Sequence, residues 1–249
     1  VRDDLGTEVT GPVTRVVSLV PSLTEAVAVS APGVLVGATD YCTHPSTLDV
    51  PRVGGSKFPT VAAIEELRPD LVVANTEENR LADVEALRAA GIAVWVMEAP
   101  VSVPAGIEST ARLLAALGAE PAWLGEAREV WASTAPVRAA AVVPVWRKPW
   151  VVVGRDTFAG DVLRRLGVVN AYAEHADRYP RPSLDELNAT SADLVVLPDE
   201  PYAFTADDGP GFFPGKRAAL VVGRYLTWYG PSLVEARTEL DRAITAALT

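Results

Sequence analysis

TVAAIEELRPDLVV (residues 60–73) and SLDELNATSADLVV (residues 183–196) run in step without a gap, and Glu77 and Glu200 follow the two stretches at the same offset. Each copy reads as a Thr or Ser N-cap, a short helix, a buried strand opening at Leu71 or Leu194, and an acidic loop at the strand's carboxyl end. That end is where open α/β sheets place ligands. The repeat therefore predicts two similar α/β halves, and if they face each other, Glu77 and Glu200 line one cleft from opposite sides. The plainer account is that DLVV is simply common strand sequence.

Working outward, RVVSLV (15–20) reads as a buried strand that turns through Pro21-Ser22 into a helix, with Ser22 as its N-cap. Val34–Gly37, Leu71–Ala74 and Ala93–Val96 are further apolar runs, the last two separated by a helical pattern. Such alternation favours parallel sheets covered on both faces. Residues 103–140 are helical in pattern, and Pro136 predicts a kink or an end because proline removes a backbone donor. A second series follows: strands over 142–146, 150–153, 194–197 and 219–222, a helix around 161–166, and a closing helix from Pro231. The expected organisation is an N-terminal lobe over 1–102, connecting helices over 103–140 and a C-terminal lobe over 141–249.

The 249 residues carry 22 Lys and Arg against 32 Asp and Glu, a formal charge of -10. No basic stripe exists for counter-ion release, so nucleic acid is not an expected partner. The single cysteine, Cys42, leaves no internal disulfide and no Cys-rich zinc site. No run of 18 apolar residues occurs, and the first residues lack a signal peptide's basic and apolar regions. Because the only methionine is Met97, the start of the chain does not decide the compartment.

Enzyme chemistry finds little equipment. Cys42 and His44 sit two apart, an awkward spacing for an activated thiol, and Glu77 with Glu78 reads as a solvated pair at a helix N-terminus as readily as an acid-base couple. A metal site from His44, Glu78 and His175 uses both histidines of the chain. No metal held directly by side chains and no cofactor is expected. Nor is there a Gly-rich phosphate loop, a GxSxG elbow or an HExxH helix.

Several blocks, RVVSLVPSLTEAV (15–27), VGATDYCTHP (36–45), PRVGG (51–55), ELRPDLVVANTEENR (66–80), LRAAGIAVWV (87–96), PWVVVGRDT (149–157) and LTWYGPS (226–232), together cover the chain nearly end to end. Their sum resembles the helical-backbone (class III) substrate-binding proteins of ABC importers for vitamin B12, iron-siderophores and haem, closest to the cobalamin-binding branch. The resemblance implies two Rossmann-like α/β lobes with central sheets, joined by a single long backbone helix of limited hinge motion, with a ligand cleft between the lobes. The implied ligand is a metal chelate, the implied partner an importer permease, and the implied state a monomer outside the membrane, periplasmic or anchored at the cell surface.

Carried over by position, the cleft residues are Pro21, Ser22, Tyr41, Ser56, Lys57 and Phe58 from the first lobe, and Trp146, Tyr179, Trp228 and Tyr229 from the second, beside Glu77 and Glu200. Aromatic rings suit a corrin or porphyrin-like plane, since stacking adds about 0.5–1.5 kcal/mol per pair beyond area. A Trp in such a protein is more often core; Tyr41 and Trp228 stand apart because turn residues, Asp40 and Gly230, adjoin them. The family docks to its transporter through one acidic residue per lobe. Those positions here are Ala62 and Asp185, with Glu65 and Glu66 as substitutes on the first-lobe helix. Two alternatives remain: a cytoplasmic corrinoid- or tetrapyrrole-handling protein on the same fold, and a small α/β enzyme using Cys42 or Glu77/Glu78.

Overall fold

The computed structural model describes residues 1–249. By its contacts the chain divides into two compact units, one formed by Val1–Ala99, Gly106–Gly125 and Tyr229–Pro231, the other by Pro100–Ala105, Glu126–Trp228 and Ser232–Thr249. The helix Val103–Ala116 (α4 in chain order) contributes residues to both.

The first unit is built from strands β1 (Val16–Ser18), β2 (Leu35–Ala38), β3 (Leu71–Asn75) and β4 (Val94–Met97), with helices α1 (Pro21–Ser30), α2 (Val61–Glu66) and α3 (Leu81–Ala89). Its strands form one sheet in the order β2-β1-β3-β4, every pairing parallel. Parallel strands must be covered on both faces, and β3 and β4 are buried at every position. Val17, Leu19, Val72, Ala74, Val94 and Val96 form the core with Ile64, Val84 and Leu87 from α2 and α3.

The second unit takes in most of helix α5 (Trp123–Val130) and continues with strand β5 (Ala139–Val142), the antiparallel ribbon β6 (Pro144–Trp146) and β7 (Val151–Val152), helix α6 (Phe158–Arg165), strand β8 (Val168–Asn170), helix α7 (Leu184–Ala189) and strand β9 (Leu194–Pro198). A 3-10 turn (Pro210–Phe212), strand β10 (Arg217–Val221) and helices α8 (Gly223–Thr227) and α9 (Leu233–Leu248) complete it. The sheet order is β10-β9-β5-β8, again all parallel. In both units the first strand lies between the second and the third, and the fourth is outermost beyond the third. The sequence repeat is thus a repeat of topology, with the two DLVV segments as the third strands β3 and β9.

The repeated aspartate has a shared task. Asp70 accepts from the N–H of Thr14 and of Arg15, at 2.8 and 2.9 Å, just ahead of β1. Asp193 accepts from the N–H of Ala140 in β5 at 3.2 Å. Those backbone hydrogen bonds, Thr14 first, hold the exposed Asp70 carboxyl below its ordinary pKa. Ser183 forms the expected cap, a complete capping box with Glu186, whereas Thr60 occupies the N-cap of α2 without a side-chain hydrogen bond.

Three local readings are corrected. Ser22 does not cap α1: the helix begins at Pro21 with Val20 at the cap, because proline's fixed φ and missing N–H suit the first helical position. The strand expected over 142–146 breaks at Val143, and Pro144, unable to donate to a ladder, opens the separate ribbon instead. β8 and α8 carry too few residues to give a periodic signal. Pro136 lies beyond the end of α5, outside any helix.

Candidate functional site

Where strand order reverses, the loops leaving the carboxyl ends of neighbouring parallel strands splay apart and leave a crevice. In the first unit that point lies between β1 and β3, in the second between β5 and β9. The segments leaving those strands bring there Pro21 and Ser22 at the start of α1 and Glu77 after β3 in one case, Trp146 at the end of β6 and Glu200 after β9 in the other.

In the first unit the loops are tied together by buried amides. Asn79 donates through Nδ2 to the Ser56 carbonyl at 2.9 Å, while its Oδ1 accepts from the Asn75 N–H at 2.8 Å. Asn75 in turn accepts through Oδ1 from the N–H groups of Glu77 and Glu78, at 2.9 and 2.7 Å, and donates through Nδ2 to the Tyr229 hydroxyl at 2.7 Å. Tyr229, 4% exposed, therefore braces the acidic loop from behind, and burial pushes its phenol far above the ordinary value. Ser22 and Ser56 are buried as well.

Two rings of this unit face outward: Tyr41 is 65% exposed and Phe58 70%. Tyr41 is presented by a loop that Arg52 pins, its Nη1 donating to the carbonyls of Thr39 and Cys42 at 3.0 and 2.8 Å. Lys57 extends across to the Glu77 carbonyl, Nζ to oxygen 2.6 Å. Cys42, adjacent to Tyr41, points inward. Thr24 donates to its sulfur at 2.9 Å and Thr39 lies at 3.2 Å, while burial pushes the thiol pKa up, the reverse of what activates a nucleophile. His44 pairs through Nδ1 with Thr43 at 3.0 Å.

In the second unit Trp146, at the end of β6, is 44% exposed and stands edge-on to Tyr202, centroids 5.8 Å apart. Arg147 holds Asp208 at 2.5 Å and lies over the rings of Phe212 and Tyr202. Tyr179 is 37% exposed, on a segment that runs close over Gly154: Gly154 N–H donates to the Arg178 carbonyl at 2.8 Å, and Val152 N–H to that of Pro180 at 3.0 Å. Glu200 crowds Gly223, whose N–H donates to Asp199 at 2.6 Å. Trp228 directly follows α8 and, unlike the open loop ring expected there, is only 6% exposed.

Of the carboxylates assigned to docking, Glu65 and Glu66 are exposed on α2 and Asp185 is exposed in the first turn of α7; Ala62 is exposed as well. No group of three or more His, Cys, Asp or Glu side chains is placed to hold a metal ion. Asn75, Asn79, Arg80, Arg147, Tyr202 and Asp208 escaped the sequence reading. The signal available for the two asparagines was a polar residue closing an otherwise apolar strand, with a second one four residues on.

A family model described as periplasmic binding protein matches residues 16–210. The vitamin B12-binding protein of Vibrio cholerae is 25% identical over 203 residues, which are 77% of this chain and 73% of that protein. Among solved structures, the periplasmic vitamin B12 binding protein BtuF of Vibrio cholerae superposes with a TM-score of 0.74 at 18% identity, covering 96% of this chain and 99% of that one. The periplasmic haem-binding protein BhuT in complex with two haems gives 0.77 at 24% identity, covering 94% and 99%. CeuE of Helicobacter pylori with Ni(II) bound gives 0.81 at 17% identity, covering 99% and 89%. At those identities the structural likeness speaks for the fold, two lobes with parallel sheets. The match of the family model across most of the chain places this protein in the periplasmic binding protein family.

Proposed function

We propose that this chain is the extracytoplasmic substrate-binding component of an ABC importer and that it captures a metal chelate of the corrinoid, haem or ferric-siderophore class. The observation that carries the reading is the set of large rings left open at the strand-end loops: Tyr41 and Phe58 in the first unit, Trp146 and Tyr179 in the second. Exposed rings on braced loops cost apolar surface in water, and a wide conjugated or apolar ligand recovers that cost. The metal arrives inside its chelator, so no side-chain metal cage is called for. Membership of the periplasmic binding protein family and the likeness to the vitamin B12-binding protein support the same class.

Docking to a permease is assigned to Asp185 on the second unit and to Glu65 and Glu66 on the first, where Ala62 stands at the family's acidic position. The protein acts as a monomer.

The test is a visible spectrum. Protein incubated separately with cyanocobalamin, haemin and a ferric catecholate siderophore is desalted, and at least one chelate should stay with it in near-stoichiometric amount. Passage of all three through the column without retention would remove the proposal.

A further inference from the structure

Arg80 and Phe58 form an arrangement that the family resemblance did not bring into view. The Arg80 guanidinium carbon lies 4.4 Å from the centroid of the Phe58 ring, the distance of a cation-π contact. Arg80 is itself fixed: Nε and Nη2 donate to the two carboxylate oxygens of Asp83, at 2.8 and 2.7 Å. The pairing follows from local structure. Arg80 is the N-cap of α3 and Asp83 lies in its first turn, a position where the helix dipole favours a carboxylate. A planar, bidentate fork orients the guanidinium toward the ring. One face of Phe58 is thus occupied while the residue remains 70% exposed. The second unit has an indirect relative of this arrangement: Asp208 anchors Arg147, Arg147 lies over Phe212 and Tyr202, and Tyr202 meets the exposed Trp146 edge-on.

We infer that Arg80 is a positioning residue for ligand capture, an Asp83-anchored backing that holds the Phe58 ring as a preformed platform with one open face. This rests on the chelate-binding reading. An unbacked phenylalanine on a loop loses rotamer freedom when a ligand lands on it; a backed one has lost it already, and the difference appears as affinity. Arg80 acts through the ring, so its effect is indifferent to ligand charge.

The test measures binding of cyanocobalamin and haemin to the parent, Arg80→Met, Phe58→Leu and the double variant, with thermal melting alongside. Arg80→Met should weaken whichever probe binds by roughly 3- to 10-fold, independently of salt, and should add nothing in the Phe58→Leu background. Asp83→Asn, which leaves Arg80 in place but loosens its anchor, should give a smaller loss in the same direction. Loss confined to haemin and fading with added salt would mean direct charge contact and overturn the inference. So would additive effects of Arg80→Met and Phe58→Leu. A second readout needs no ligand: in a Phe58→Trp reporter, Arg80→Met should raise acrylamide quenching of the added emission about twofold, because the covered face opens. Unchanged quenching overturns the platform even where a chelate binds; retention of neither probe nor of the ferric siderophore defeats the chelate reading while the reporter still decides the platform.

Discussion

Gly154→Ala should lower the stability of the protein by about 3 kcal/mol, a fall of roughly 6–12 °C in Tm for a chain of this size. A Cβ built on Gly154 would lie 2.4 Å from the Asp177 carbonyl oxygen, 2.7 Å from Pro180 Cδ and 2.9 Å from the Arg178 carbonyl oxygen. Two of those three atoms are backbone, which cannot move aside as a flexible side chain would. The hydrogen bonds from Gly154 to Arg178 and from Val152 to Pro180 hold the segment in place, so relief of the clash must break at least one of them. The segment carries Tyr179. The substitution should therefore loosen Tyr179 as well as lower the melting temperature, and the two are read separately by calorimetry and by proteolysis at the Arg178–Tyr179 bond. An unchanged melting temperature would contradict the close approach at Gly154.

The second large effect is expected at Asp161. This buried carboxylate on α6 accepts from the Val103 N–H, at the first residue of α4, at 2.8 Å, and binds Arg165 at 2.8 Å and Arg164 at 2.5 Å. Burial alone would raise its pKa; the hydrogen bonds from Arg165, Val103 and Arg164 outweigh that cost and hold the group below the ordinary aspartate value. Asp161→Asn keeps an acceptor for Val103 but leaves Arg165 without its countercharge in a mostly buried setting. A loss of about 2–3 kcal/mol at neutral pH is expected. The sign with pH follows from the lowered pKa. The folded carboxylate resists protonation more than the unfolded one, so its contribution is fully present above about pH 4–5 and fades as pH falls through the folded value. The gap between parent and variant should accordingly stay constant from pH 7 to about 5 and close on further acidification. Urea melts at a series of pH values measure it, and a gap that widened in acid would contradict this assignment.

How much was legible beforehand follows from the kind of signal each feature leaves. The DLVV repeat led to β3 and β9 and, through them, to the matching order of both sheets, because a buried parallel strand is a continuous apolar run and its opening aspartate performs the same backbone task twice. The cap at Ser183 was readable because a cap is a local pattern, although its Glu186 partner was not read and Thr60 makes no matching side-chain hydrogen bond. The strand break at Pro144 and the start of α1 at Pro21 were also encoded locally and misread, the first by running one strand through the proline, the second by placing the cap at Ser22 instead of Val20.

The loops were harder. Tyr41 and Trp228 looked alike in sequence, each next to a turn residue, yet they are 65% and 6% exposed. Gly230 explains part of the difference: a Cβ there would lie 2.9 Å from the Ser22 carbonyl oxygen and 3.1 Å from Glu25 Oε2, so this glycine marks close packing instead of an open turn. The Asn79 bracing, the Arg80–Phe58 stack and the Arg147–Asp208 pair join residues whose partners the one-dimensional pattern does not specify. Side-chain networks leave no periodicity to read.

Whether the exposed rings on these loops hold a chelate is read by a fluorescence titration with the chelate that survives desalting. Quenching of tryptophan emission should follow a single saturating curve in the parent. Trp146→Ala and Tyr41→Ala should each weaken binding by roughly 10-fold, about 1.4 kcal/mol for a lost stacking ring; the melting temperature should stay close to the parent's for Tyr41→Ala, 65% exposed, and fall modestly for Trp146→Ala, 44% exposed and packed on Tyr202. Parent-like affinity in both variants, with their folds intact, would contradict the account.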